Sequence, residues 1–206
     1  MQQQIINLFA APIYKSSIGR GFSNAELEFF RKELRDPVPA ISNFSSRNKN
    51  LLDSEEMTGL REIIQKNLND YFVKVFNTSN EVTLEITQSW LSMTRRTESH
   101  HSHTHPNSIA SGVLYINLAQ QDGISFYRND DLIWYDLPPK EQNYYNAYQY
   151  FVETKVGELV IFPSNIKHGV KPVSEDVERV SLAFNTFFSG DLGRAEFSNS
   201  LSLKVV

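Results

Sequence analysis

The spacing of apolar positions divides the chain near residue 80. Before it, the pattern is helical. Ser23-Asn-Ala-Glu26 reads as a capping box, Leu27, Phe30 and Leu34 recur at helical spacing behind it, and Pro37 and Pro39 end the element. Residues 42–50 (SNFSSRNKN) are polar and turn-rich and predict a loop. Asp53-Ser-Glu-Glu56 offers a second cap, after which Met57, Leu60, Ile64, Leu68, Tyr71 and Val75 trace one face of a long amphipathic helix. Ahead of both helices, Ile5 to Tyr14 reads as an extended apolar segment. Beyond residue 80 the period becomes two. Val82, Leu84 and Ile86 alternate with polar residues, and Trp90 and Leu91 follow. Further alternating or β-branched runs occupy 110–118, 124–127, 132–136, 148–152, 158–162 and 178–188, separated by Asp-Gly, Pro-Pro and Pro-Ser turns. Short strands punctuated in this way predict a sandwich or barrel rather than a parallel α/β sheet. The expectation is a mainly β protein with N-terminal helices (α+β). It forms a single domain, 1–206, in which a helical support region (1–80) backs a β core (81–206).

Composition narrows the chemistry. The 206 residues include no cysteine, which excludes disulfides, thiolate metal sites and a thiol nucleophile. A net charge of −4 gives no basic face for nucleic acid. The start of the chain lacks a positively charged n-region and a long apolar stretch, so neither a signal peptide nor a membrane span is expected, and a cytoplasmic protein is. Strand edges and aromatic content leave a homodimer open.

Four of the five histidines fall at 100, 101, 103 and 105, and the fifth is His168. On a strand, residues i and i+2 share a face, so His103 and His105 can meet one metal ion. A strand at 158–162 runs into a turn at Pro163, and His168 follows five residues after that proline. There it can return to the barrel mouth and complete a three-histidine set. A facial set with open positions points to non-haem Fe(II). A histidine-rich tract alone is often a solvated loop; the distal histidine on a β framework makes the pattern specific. Arg179-Val-Ser181 lies eleven residues further on. Arg179, Ser181, Ala183 and Asn185 share one strand face, and a guanidinium pointing into a barrel requires an anion, which its planar fork binds as a carboxylate. An exposed arginine paired with Glu175 or Glu178 is the competing account. Trp90 is expected to pack in the core.

Taken in order, IINLFAAPIY, TQSWLSM, HSHTHPNSIASGVLYIN, GELVIFPSNIKHGVKP and ERVSLAFNTFFSGDLG resemble the 2-oxoglutarate/Fe(II)-dependent oxygenases, prolyl-hydroxylase-like members included. The resemblance implies a double-stranded β-helix, a jelly-roll barrel, with Fe(II) and 2-oxoglutarate as cofactors. It assigns metal binding to His103, His105 and His168. Arg179 and Ser181 would hold the 2-oxoglutarate C5 carboxylate, with Tyr115 beside it, and no catalytic side chain is implied beyond the metal centre. The implied reaction is hydroxylation of a small-molecule or peptidyl substrate with release of succinate and CO2. Phe126, Arg128, Trp134 and the tyrosines at 144, 145, 148 and 150 are candidate substrate contacts. The sequence departs from the pattern in having His105 where an acidic ligand is usual, and Asn165 where a tryptophan is expected. The pairs His101/His103 and His105/Asn107 therefore remain alternative ligand registers. A cupin-like three-histidine enzyme and a non-catalytic jelly-roll binding protein remain alternative functions.

Overall fold

The computed structural model describes residues 3–128 and 137–205. The predicted strand at 132–136, and Trp134 with it, lies outside them. The first helix, α1 (Asn24–Glu33), opens on the expected capping box: Ser23 Oγ accepts from the Glu26 amide at 3.2 Å, and Glu26 Oε2 accepts from the Ser23 amide at 2.8 Å. The second, α2 (Thr58–Phe76), starts differently from expectation. Residues 51–57 form two short 3-10 turns, no side chain caps the helix, and Asp53 instead pairs with Arg61. The buried stripe of α2 is Leu60, Ile64, Leu68, Tyr71 and Phe72; Val75 faces out, because Phe72 completes the arc.

Among the described residues there are twelve strands, in chain order: β1 (Tyr14–Ser17), β2 (Val38–Pro39), β3 (Phe44–Ser45), β4 (Val82–Thr94), β5 (His100–His103), β6 (Ala110–Asn117), β7 (Gly123–Tyr127), β8 (Gln149–Glu153), β9 (Glu158–Pro163), β10 (His168–Val170), β11 (Arg179–Leu192) and β12 (Leu201–Leu203). The expected loop at 42–50 thus contributes β3, which pairs with β4. The apolar run from Ile5 is not a strand: Ile5, Ile6, Leu8 and Phe9 are exposed, and pairing starts only after Pro12, at Tyr14.

The strands form two antiparallel sheets. The larger has the order β1-β9-β6-β11-β4-β3-β2, with β12 added beside β11; the smaller is β5-β10-β7-β8. The larger sheet packs on both faces. One face meets the helices: Leu84, Leu91, Leu114, Leu159, Ile161, Leu182 and Phe184 pack with Leu60, Ile64 and Leu68 in the main core. The opposite face meets the smaller sheet, where Tyr115, Val160 and Phe162 pack with Ile124 and Phe126. The outcome is a mostly β double-stranded β-helix behind N-terminal helices.

A register shift in β4 sets what faces the barrel. Ile86 is opposite Thr186 while Gln88 is opposite Asn185, so Thr87 is an extra residue. Such a bulge reverses side-chain parity. Leu84 and Ile86 face the helices before it, Leu91 and Met93 after it, and Trp90 is turned into the barrel.

Candidate metal centre

The site sits at the mouth between the sheets. His103, the last residue of β5, is directly opposite His168, the first of β10. His105 lies beyond the strand, so its placement does not come from strand alternation. Its amide donates to the Ser164 carbonyl at 2.9 Å, and the Ser164 hydroxyl is held by Ser111 (2.8 Å) and Ser108 (2.7 Å). The turn after Pro163 therefore fixes His105 as well as leading to His168.

The three imidazoles bring one ring nitrogen each to within 4.8 Å of one another. His103 Nδ1 lies 2.8 Å from the His101 carbonyl and His168 Nδ1 lies 2.9 Å from the Ile166 carbonyl. A carbonyl only accepts, so both rings carry their proton on Nδ1 and present a bare Nε2 to the cavity. His105 Nε2 and His168 Nε2 are 3.2 Å apart. Two nitrogens bound about 2.1 Å from one ion, at right angles, would be about 3 Å apart. Burial holds all these rings neutral: His168 is pushed down to about 3 and His105 to about 4, chiefly by desolvation, and His103 is lowered for the same reason. Neutral, converging imidazoles fit a borderline divalent ion such as Fe(II).

His100 and His101 lie beside this centre. With His103 they form a second group of three that meets the same 4.8 Å limit. His100 lines the same cleft and is lowered to about 3, mainly by burial. Asn107 is exposed in a left-handed turn. No carboxylate belongs to either group among the described residues.

The cleft continues from the histidines to Tyr115, Arg179 and Ser181. Arg179 opens β11 and is 1% exposed. It does not pair with Glu175 or Glu178. Its Nε donates to Asp122 Oδ2 at 2.9 Å and to Oδ1 at 3.0 Å. Nη1 is 3.5 Å from Ser181 Oγ, and Nη2 is buried without a partner. The guanidinium carbon stands 5.6 Å from the centre of the Tyr115 ring. The Tyr115 hydroxyl is also buried, beside the Thr154 hydroxyl but in no well-formed hydrogen bond, and burial pushes its pKa up, with Arg179 and Thr154 pulling the other way. Buried polar atoms without partners are uncommon, and here a guanidinium with an unpartnered Nη2 and a phenol lie at the far end of a cleft that starts at three converging imidazoles. A 2-oxo acid with a distal carboxylate matches both ends.

Other expectations change. Trp90 is not a core residue: the bulge at Thr87 turns it into the cleft, 5.9 Å from the His105 ring centre. Phe126 is core, 6% exposed, against Phe162. Arg128 is tied to the Tyr145 carbonyl at 2.7 Å. Tyr144, Tyr145, Tyr148 and Tyr150 are exposed rather than cleft-lining. Asp122 was legible in the sequence only as half of an Asp-Gly turn.

Residues 88–185 match the family model described as "Putative 2OG-Fe(II) oxygenase". No curated protein matches the chain by sequence. Among solved structures, an oxidoreductase of the 2OG-Fe(II) oxygenase family from Burkholderia pseudomallei is 15% identical, with 80% of this chain and 79% of that one covered and a TM-score of 0.54. HygX from Streptomyces hygroscopicus, with nickel, 2-oxoglutarate and hygromycin B bound, is 13% identical over 85% of this chain and 82% of its own, with a TM-score of 0.55. A Pseudomonas putida prolyl-4-hydroxylase is 17% identical over 85% and 93%, with a TM-score of 0.53. At these identities the structural likeness establishes the double-stranded β-helix. No described helix is long and apolar enough to cross a membrane.

Proposed function

We propose that this protein, a 2OG-Fe(II) oxygenase by its residues 88–185, holds iron on His103, His105 and His168 and hydroxylates its substrate with release of succinate and CO2. The observation that carries the residue assignment is the pairing of two groups in one cleft: three neutral imidazoles at one end, the buried and unpartnered Arg179 Nη2 at the other. When bound, iron and 2-oxoglutarate supply oxidising power, the 2-oxo acid being decarboxylated as one oxygen atom of O2 enters a substrate C–H bond. The chain's own work is positional. His103 and His168 have their tautomers set by backbone carbonyls, so neither ring must shed a proton to ligate. Arg179 and Ser181 offer donors to the distal carboxylate, and Tyr115 gives the guanidinium an aromatic face. Trp90 walls the centre beside His105 and limits water there. HygX carries hygromycin B in its structure, and the Pseudomonas protein is a prolyl-4-hydroxylase; by these likenesses the substrate is a small molecule or a peptidyl side chain.

Anaerobic addition of Fe(II) and 2-oxoglutarate should give the weak visible charge-transfer band of a chelated 2-oxo acid, and succinate should form once oxygen is admitted. Arg179→Ala should weaken 2-oxoglutarate binding by about 100-fold, since charge-assisted hydrogen bonds contribute about 1.5–3 kcal/mol each. Lys15→Ala, at a surface pair with Glu158, should leave it unchanged. A wild-type protein with no band would end the proposal.

A further inference from the structure

We propose that Asp122 is a positioning residue that sets which length of 2-oxo acid the cleft accepts; this rests on the reading that Arg179 holds the distal carboxylate. Asp122 lies in the turn between β6 and β7, on the smaller sheet's side, whereas Arg179 begins β11 in the larger sheet. Their ion pair is nearly dry, with side chains 6% and 2% exposed. It engages only the Nε edge of the guanidinium, through 2.9 and 3.0 Å contacts, and leaves the Nη edge for the cleft. Asp122 is itself immobilised. Oδ1 accepts from the Gly123 amide at 2.6 Å, Oδ2 accepts from the Ala119 amide at 3.3 Å, and its carbonyl accepts from the Thr154 amide at 2.9 Å. Gly123 lets the turn lie flat on β8, since a Cβ there would meet the Val152 carbonyl oxygen at 2.1 Å. A rigid turn thus clamps one edge of a fork whose other edge faces the metal centre. The distance from fork to imidazoles is then fixed across the two sheets, and a fixed distance selects chain length.

A second role for Asp122, neutralising a buried guanidinium, makes opposite predictions for two conservative variants. Asp122→Glu keeps the charge and lengthens the clamp. Asp122→Asn removes the charge and keeps an oxygen acceptor for Nε–H. The full-length protein, loaded anaerobically with Fe(II), is titrated through its charge-transfer band with 2-oxoglutarate and with its six-carbon homologue 2-oxoadipate. Positioning requires wild type to favour 2-oxoglutarate by at least tenfold. The Glu variant should then lose that preference by about tenfold or more, and the Asn variant should keep it within about threefold, whatever happens to absolute affinity. Preference retained in Glu or lost in Asn overturns the proposal, as does a wild type with no preference. If the Glu variant does not fold, the Asn variant decides alone: preference kept within about threefold supports positioning, and preference lost overturns it. A wild type without any band refutes the underlying reading instead, so the two failures are distinguishable.

Discussion

At the scale of single residues, the cleft is organised by atoms that lack partners. The Tyr115 hydroxyl and Arg179 Nη2 are both buried and unsatisfied, and leaving such groups unpaired costs about 1–3 kcal/mol each. Tyr115→Phe removes one of these debts while keeping the ring under Arg179. Without co-substrate the variant should melt at the same temperature or slightly higher, and its 2-oxoglutarate affinity should fall a few-fold, read by the charge-transfer titration. A lower melting temperature would show that the hydroxyl already has a structural partner. His168 and Arg179 were legible in the sequence because each stands at a fixed offset from a strand or turn. Asp122 was not, because Asp-Gly is also an ordinary turn signal and its partner is 57 residues away. Two of the sequence's reasons also need amending. His105 is aligned by the Ser164 carbonyl rather than by strand alternation, and Arg179 already has a resident carboxylate.

At the scale of elements, packing faces depend on close backbone approaches. Gly112 in β6 lies under the Phe184 ring of β11, where a Cβ would come within 2.1 Å of the ring's Cζ. Overpacking of this kind costs about 1–3 kcal/mol, which for a chain of this size corresponds to a melting-temperature drop of about 2–12 °C. Gly112→Ala should show that drop in a thermal melt, and an unchanged melt would mean that Phe184 can turn aside. Both helices and the strand-rich half were readable from periodicity, because each buries one continuous stripe or alternate positions. What periodicity hid was the change of phase inside β4. One extra residue at Thr87 moves the apolar set from even to odd positions, so Trp90, expected in the core because a strand tryptophan usually packs, faces the cleft instead. The start of α2 was misread for a related reason: Asp53 and Ser54 have the composition of a cap, yet Leu51, Leu52 and Met57 are fully or almost fully buried and draw the segment into 3-10 turns instead.

At the scale of the whole molecule, the larger sheet separates two environments, an apolar core against the helices and a cleft with buried polar groups against the smaller sheet. The second makes the fold sensitive to acid. An unfolded histidine titrates near 6.5, whereas in the fold His100 and His168 titrate at about 3 and His105 at about 4, desolvation being the largest cause in each. Above pH 6.5 the rings are neutral in both states and contribute no pH dependence. Below it the unfolded chain takes up protons that the folded chain refuses, so stability falls as pH falls, by about 1.4 kcal/mol per pH unit for each such ring. The loss continues until the folded values are reached. For His168, only 4% exposed, that amounts to about 2 kcal/mol at pH 5. Metal-free protein should therefore melt at least 4 °C lower at pH 5 than at pH 7, and His168→Gln should flatten part of the slope. A divalent ion that binds only the folded state raises the melting temperature by mass action. Because the rings are already neutral, protons compete weakly for them until the pH nears 4. The upward shift produced by Ni(II) should thus persist at pH 5.5, where ordinary solvated histidines would be mostly protonated and would release the ion. A metal-free melting temperature that is flat between pH 7 and pH 5 would mean that the imidazoles are hydrated and free to charge, and the cleft would then not be the dry, preorganised site that its geometry describes.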